Sequence, residues 1–282
     1  MEETIREFLD HLEHTQERSQ NTLIAYKYDL EQFRIVNERM RGASFPLEEL
    51  GDEDLISYLE WLQARNYRQS TIARKWAAVR SYLEFAKQQD YVIDKSLGDR
   101  ITYLPSERQH PQVLTRQEVY DMLNAPLSQK NPLGTRDSAI LSVMYRSGLR
   151  AGEMIALQID HVDLENGTLH ASWCREFPTY LGAATERIRT YLLEGRPHLA
   201  RIPEERTLFL NQRGTGLTRQ GLWLIVKRWA MEAGLGDKIS PQTLRHSLTK
   251  HMLESGYSKK QVQAMLGLRS PNSIRVFLSS KD

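Results

Sequence analysis

Three cations recur along one predicted helix in the first third of the sequence. Arg74, Lys75 and Arg80 fall mostly off the apolar stripe of Ile72, Trp76, Val79, Leu83 and Ala86. A cationic helix face suits the phosphates that line a DNA major groove, about 12 Å wide; the plainer reading is a solvated face. The distribution of charge bears on the choice. The formal net charge is +2, yet residues 1–104 hold 14 Lys+Arg against 19 Asp+Glu and residues 105–282 hold 24 against 17. A basic second half suggests a polyanionic partner, nucleic acid first, although on charge alone the two readings are evenly matched. Cys174, the one cysteine, is a nucleophile in principle. A lone cysteine near a strand is more often a small core residue, and one thiol forms neither an internal disulfide nor a four-thiol zinc site.

These residues need a folded scaffold, and the composition supplies one. The chain has 282 residues, 40% hydrophobic and 26% charged, which excludes a disordered or fibrous protein. Its length predicts two domains. No uncharged apolar run approaches the ~20 residues that span a membrane. Residues Met1 to Asp10 carry four acidic side chains and no apolar core, unlike a signal peptide. A cytoplasmic location is the simplest reading, without metal or cofactor.

The first segment reads as helices. Asn21 or Ser19 caps a helix with Leu23, Tyr26, Leu30 and Phe33 on one stripe. Asp52 caps the next, with Leu55, Tyr58, Leu59 and Leu62, and Ser70 caps the cationic one. Residues 105–111, with two prolines and no periodicity, read as a linker. The predicted domains are therefore 1–104 and 112–282. Thr115 and Glu118 form a predicted capping box. A helix follows over Asp137–Arg146, closed by Ser147-Gly148. Short strands are expected at 167–172 and 207–210, the latter before a turn at 214–216. Further helices are expected after Thr218, over Leu244–Glu254 and over Lys259–Leu266. The fold class is mainly α with a small β-sheet.

The order of motifs then becomes informative. Ser147-Gly148-Leu149-Arg150-Ala151-Gly152-Glu153 resembles the first arginine motif of the tyrosine recombinases, the phage-integrase family, in its Xer-type branch. Thr243-Leu244-Arg245-His246-Ser247 resembles the second arginine motif. Leu208-Phe209-Leu210-Asn211 with Leu217-Thr218-Arg219-Gln220-Gly221 resembles the stretch before it, and Leu266-Gly267 through Phe277 has the spacing of the C-terminal motif. Asn21–Tyr26 and Ser70–Lys75 resemble the helical core-binding domain. Five weak signals in family order cover nearly the whole chain. The resemblance implies a two-domain, C-shaped clamp around duplex DNA, with a SAM-like first domain and a catalytic-type second one. It implies site-specific recombination and DNA integration, in which a tyrosine hydroxyl attacks a phosphodiester. Two arginines neutralise the phosphate, a hairpin lysine protonates the leaving oxygen, and histidines assist.

Position by position, this sequence keeps the arginines and departs elsewhere. Arg150 and Arg245 match the pair, and His246 beside Arg245 is common in the family. Gln242 stands at the first histidine position, Leu268 at the second, and Phe277 at the nucleophile. Ala171–Pro178, around Cys174, holds no lysine, and its Arg175 is a poor proton donor. Phenylalanine has no hydroxyl, and Tyr257 lies twenty residues early. Four departures from six positions point to a degenerate, non-cleaving DNA-binding member. Arg74, Lys75, Arg80, Arg150, Thr218, Arg219, Lys227 and Arg245 are the expected DNA contacts. The plainer reading of the two arginines is a buried, merely structural role, paired with an acid such as Glu153, that only knits the fold. An active recombinase with an altered site and a protein-interaction module without DNA binding are the alternatives. Expected partners are double-stranded DNA and an active recombinase or another chromosome-processing protein. The sequence ends five residues after Phe277, short of the family's exchanged terminal helix, so a monomer or weak dimer is expected without DNA.

Overall fold

Apolar residues spaced three or four apart build the first unit. In α1 (Glu2–Thr15) Ile5, Phe8 and Leu12 turn inward, and in α2 (Gln20–Arg41) Leu23, Leu30, Phe33 and Val36 do so. They meet α3 (Asp52–Ala64) through Leu55, Tyr58, Leu59 and Leu62, and α4 (Gln69–Gln88) through Ile72, Trp76, Val79, Leu83 and Ala86. The computed structural model describes residues 1–15, 20–91, 94–99, 101, 111–170, 178–268, 274 and 277; it divides into one unit over Met1–Gln109 and a second over His110–Asp282.

Two helix starts differ from expectation. Gly51 is the N-cap of α3, and Asp54 accepts from its backbone N–H at 2.8 Å. Asp52 instead accepts from the Gly98 N–H at 2.8 Å, tying the end of the unit to α3. Arg68 is the N-cap of α4, with Ser70 already inside the helix. In α2, Asn21 is likewise helical, and Ser19 lies outside the described residues.

The second unit is built around one helix. α5 (Arg116–Asn124) opens with the expected Thr115–Glu118 capping box. α6 (Pro132–Ser147) follows, capped by Asn131, and is buried on every side at Ala139, Ile140, Leu141, Val143 and Met144. That all-round burial explains why its sequence lacks a clean polar face. Two charged groups inside it are satisfied together. Asp137 pairs with Arg136 at 2.7 Å and accepts from Trp229 Nε1 at 2.8 Å, while Arg136 donates to the Leu210 carbonyl at 2.9 Å. Such a node holds only while every member is present.

After α7 (Ala151–Ile155) comes a three-stranded antiparallel sheet of β1 (Val162–Asp163), β2 (Thr168–Leu169) and β3 (Thr179–Tyr180), in that order. Val162 pairs with Leu169, and Leu169 with Thr179. The expected strand at 207–210 is reduced to single bridges, Gln158 with Thr207 and Leu210 with Gly216, because the chain reverses tightly between Asn211 and Thr215. α8 (Ala184–Thr190) runs through a π-helical turn, Tyr191–Gly195, into α9 (Arg196–Leu199). The last helices are α10 (Arg219–Glu232), α11 (Pro241–Glu254) and α12 (Lys259–Leu266), each capped at its start by a serine or threonine. Among the described residues no helix is long and apolar enough to cross a membrane.

The chain entering this unit is fastened to α11. Leu114 donates its N–H to Ser247 Oγ at 2.9 Å, and Arg116 Nη2 reaches the His251 carbonyl at 3.1 Å and Ser255 Oγ at 2.8 Å.

Candidate nucleic-acid interface

The second unit brings both arginine motifs to one place through a turn that only glycine suits. Gly148 ends α6 with φ of +59°, the left-handed conformation of a helix C-cap. A Cβ there would lie 2.6 Å from Leu266 Cδ2 and 2.9 Å from Leu248 Cδ2. The Gly148 carbonyl accepts from Arg245 Nη1, and Arg245 Nη2 donates to the Leu266 carbonyl at 2.7 Å. Arg245 is 4% exposed. It holds carbonyls at the C-terminal ends of α6 and α12, where helix dipoles favour a cation. Two residues beyond Gly148, Arg150 is the N-cap of α7 and stays half exposed. Its Nη1 pairs with Glu153 at 2.7 Å, and Glu153 also accepts the Arg150 backbone N–H at 2.7 Å. One arginine therefore braces the turn that presents the other.

Arg219 completes this group. Its guanidinium lies over Gly152 so closely that a Cβ there would sit 2.8 Å from Nη2. Thr218 caps α10 by accepting from the Gly221 N–H at 3.0 Å. Lys227 is half-buried, two turns into α10, with Nζ 4.9 Å from the Trp223 ring centre.

The remaining residues that the motif spacing singled out, Gln242, Leu268 and Phe277, are amide or apolar. Gln242, exposed, is 2.9 Å from His246 through the amide nitrogen and ring Nε2. The His246 ring packs on Phe277, centroids 5.2 Å apart. Burial lowers the pKa of His246, and the Arg245 charge lowers it further. Leu268 packs with Leu248, Met252, Val262, Leu266 and Ile274, its backbone held by Gln263 at both N–H and carbonyl. Lys250 was not anticipated. One turn past His246, its Nζ reaches the Phe277 carbonyl at 3.4 Å. The expected loop position Cys174 and its neighbours 171–177 lie outside the described residues.

In the first unit the three cations separate. Arg74 and Arg80 are exposed, but Lys75 is buried at 7% exposure and pairs with Asp29 at 2.9 Å. Lys75 is therefore part of the interior and not of the cationic face expected from the sequence. Asp29 could have been noticed. It lies three residues after Tyr26 and four before Phe33, on the apolar stripe of α2, where an acid needs a partner.

The sequence profile of the phage integrase family matches residues 112–282, and that of its N-terminal SAM-like domain matches residues 5–90. Tyrosine recombinase XerC of Roseiflexus castenholzii is 36% identical over 98% of this chain and 88% of its own length. Tyrosine recombinase XerD of Listeria monocytogenes serotype 4b is 32% identical over 98% of this chain and 94% of its own. Among solved structures, XerH site-specific recombinase bound to its difH substrate superposes with a TM-score of 0.68 at 19% identity, covering 100% of this chain and 91% of that one. The Tn1549 transposon integrase in complex with circular intermediate DNA gives 0.76 at 16% identity, covering 99% and 96%. With its fold and both domain profiles accounted for, the chain belongs to the phage integrase family, among the Xer-type tyrosine recombinases.

Proposed function

We propose that this chain binds duplex DNA and does not cleave it. The observation that carries the reading is Phe277 at the position of the family nucleophile: its ring lies on His246, beside the helix that holds Arg245, and it has no hydroxyl to attack a phosphodiester. Gln242 cannot move protons near neutral pH, and Leu268 offers no polar group. Exposed Arg150 and Arg219, with Thr218 at the start of α10, form a cationic edge fitted to backbone phosphate, which positions a protein on DNA without reading sequence. Arg74 and Arg80 would add phosphate contacts from the first unit.

The test is a nicked suicide duplex that traps any covalent protein–DNA link. Neither the chain as it stands nor Phe277→Tyr is expected to form an adduct. Acid–base help is worth about 10²–10⁴-fold per group, and more than one such group is replaced. Duplex affinity is expected to fall steeply with salt. A ready adduct from the unmodified chain overturns the non-cleaving reading, and one from Phe277→Tyr would mean that only the hydroxyl had been lost. A second reading, cleavage by an altered site, is favoured by the 36% identity to a recombinase over nearly the full chain; the unmodified-chain arm decides it.

A further inference from the structure

The first unit contains a buried charge cluster whose excess lies at its one exposed member. The Asp29 side chain is 2% exposed. Its Oδ1 accepts from Lys75 Nζ at 2.9 Å, and its Oδ2 accepts from Arg74 Nη1. The Lys75 side chain is 8% exposed, with Nζ 5.5 Å from the Tyr67 ring centre, whereas Arg74 keeps 46% of its side chain in solvent. One carboxylate thus faces two cations. Lys75, enclosed with it, balances its charge, and the surplus positive charge rests on Arg74. A guanidinium is a planar fork of five N–H donors. It can give one edge to a carboxylate and another to a phosphate oxygen at the same time, which a lone ammonium cannot do with fixed direction.

We propose that Asp29 is a positioning residue for duplex binding: from inside the unit it fixes the direction of the Arg74 guanidinium toward a backbone phosphate. The inference rests on the DNA-binding reading above. Lys75 makes the arrangement possible, because a carboxylate without a second cation would neutralise the arginine it orients. Without Asp29 the guanidinium keeps its charge but loses its direction, and ordering it falls on the binding step.

The experiment measures binding of the full chain to a mixed-sequence duplex across salt concentrations. Removing Asp29 alone would leave Lys75 buried without a partner, so Asp29→Asn and Lys75→Met are made together, which keeps the net charge of the cluster, and the double variant is compared with the unaltered chain, with the thermal midpoint as the folding control. The double variant is expected to weaken binding about threefold with an unchanged salt slope, since no phosphate contact is removed. Arg74→Ala in the unaltered chain is expected to weaken it about three- to tenfold and to lower the slope by about 0.9. In Arg74→Ala, adding the double change should have no further effect, because Asp29 acts only through Arg74. Arg74→Lys in the unaltered chain leaves the buried pair whole and tests the idea even if the Asp29 variants fold poorly. It should keep the slope and lose about threefold in affinity. Unchanged or tighter binding by the Asp29→Asn, Lys75→Met double variant, a full loss by it that persists in Arg74→Ala, or unchanged affinity in Arg74→Lys each overturns the proposal while leaving DNA binding intact. No binding by the unaltered chain at about 50 mM salt overturns the DNA-binding reading and this proposal together.

Discussion

Lys75 of the first unit and Arg245 of the second are buried cations held by different means. In the first, a buried carboxylate, Asp29, ties Lys75 and Arg74. In the second, backbone carbonyls at two helix ends, Gly148 and Leu266, take the Arg245 guanidinium. A carboxylate must stay charged to hold its partners and is costly to remove, since a buried ammonium is stranded. Carbonyls are neutral and leave the arginine charge uncancelled, at the cost of demanding one backbone geometry. The first design tolerates changes in the backbone and none in the acid; the second tolerates no change in the turn.

That contrast sets an order of effects. Asp29→Ala should be the most damaging, destabilising the chain by about 3–5 kcal/mol because Lys75 is left buried and unpaired; denaturant unfolding reads it, and a loss below that of Arg245→Ala would reverse the comparison. Arg245→Ala should cost about 3 kcal/mol by stranding two carbonyls and should weaken duplex binding on every sequence alike. Gly148→Ala should cost at least about 1–2 kcal/mol, the cost of a left-handed conformation for an L-residue, with the clash against Leu266 and Leu248 added; an unchanged melting temperature would show that the turn is not what holds Arg245. Arg150→Ala, removing an exposed pair, should change stability by no more than about 0.5 kcal/mol while lowering the salt slope of DNA binding by about 0.9.

The smallest effect is a pH dependence confined to the second unit. Burial is the first cause lowering the pKa of both His246 and His251; the Arg245 charge adds to it in one, the Arg116 charge in the other. Their unfolded forms take up protons near pH 6.5 before the folded forms do. Stability from these groups is therefore complete above that pH and lost as pH falls through the unfolded value toward the lowered folded ones. Unfolding free energies measured between pH 7 and 5 check this; a rise in stability on acidification from that source would contradict the burial of both rings. Replacing both histidines should flatten the profile.

Much of this was readable from the residues. The helices of the first unit follow from apolar spacing, the Thr115 and Thr218 caps from their residue types, and the turn at Gly148 from a glycine after a helical stretch. The family order of motifs identified the arginine pair before any geometry. What sequence did not reveal was which cations are interior. Lys75 sits one position from Trp76, and a charge beside an apolar stripe reads as surface unless a distant acid is known to meet it; Asp29 is 46 residues away. Likewise the 207–210 segment has strand-forming residues, but its ladder stops because the partner chain turns back at once. Lys250 carries no sequence signal at all, since its contact depends on where Phe277 comes to rest.

The fastening of residues 114–116 to α11 has a mechanical consequence. Tension applied to the chain where it enters the second unit reaches the Leu114–Ser247 and Arg116–His251 bonds before it reaches the body of α5. The load is delivered to the helix that carries Arg245, between residues 247 and 255. A pull on the incoming chain is therefore a pull on the arginine helix, and the first rupture in a force measurement should free α11 from residue 114 while the α6 core remains whole.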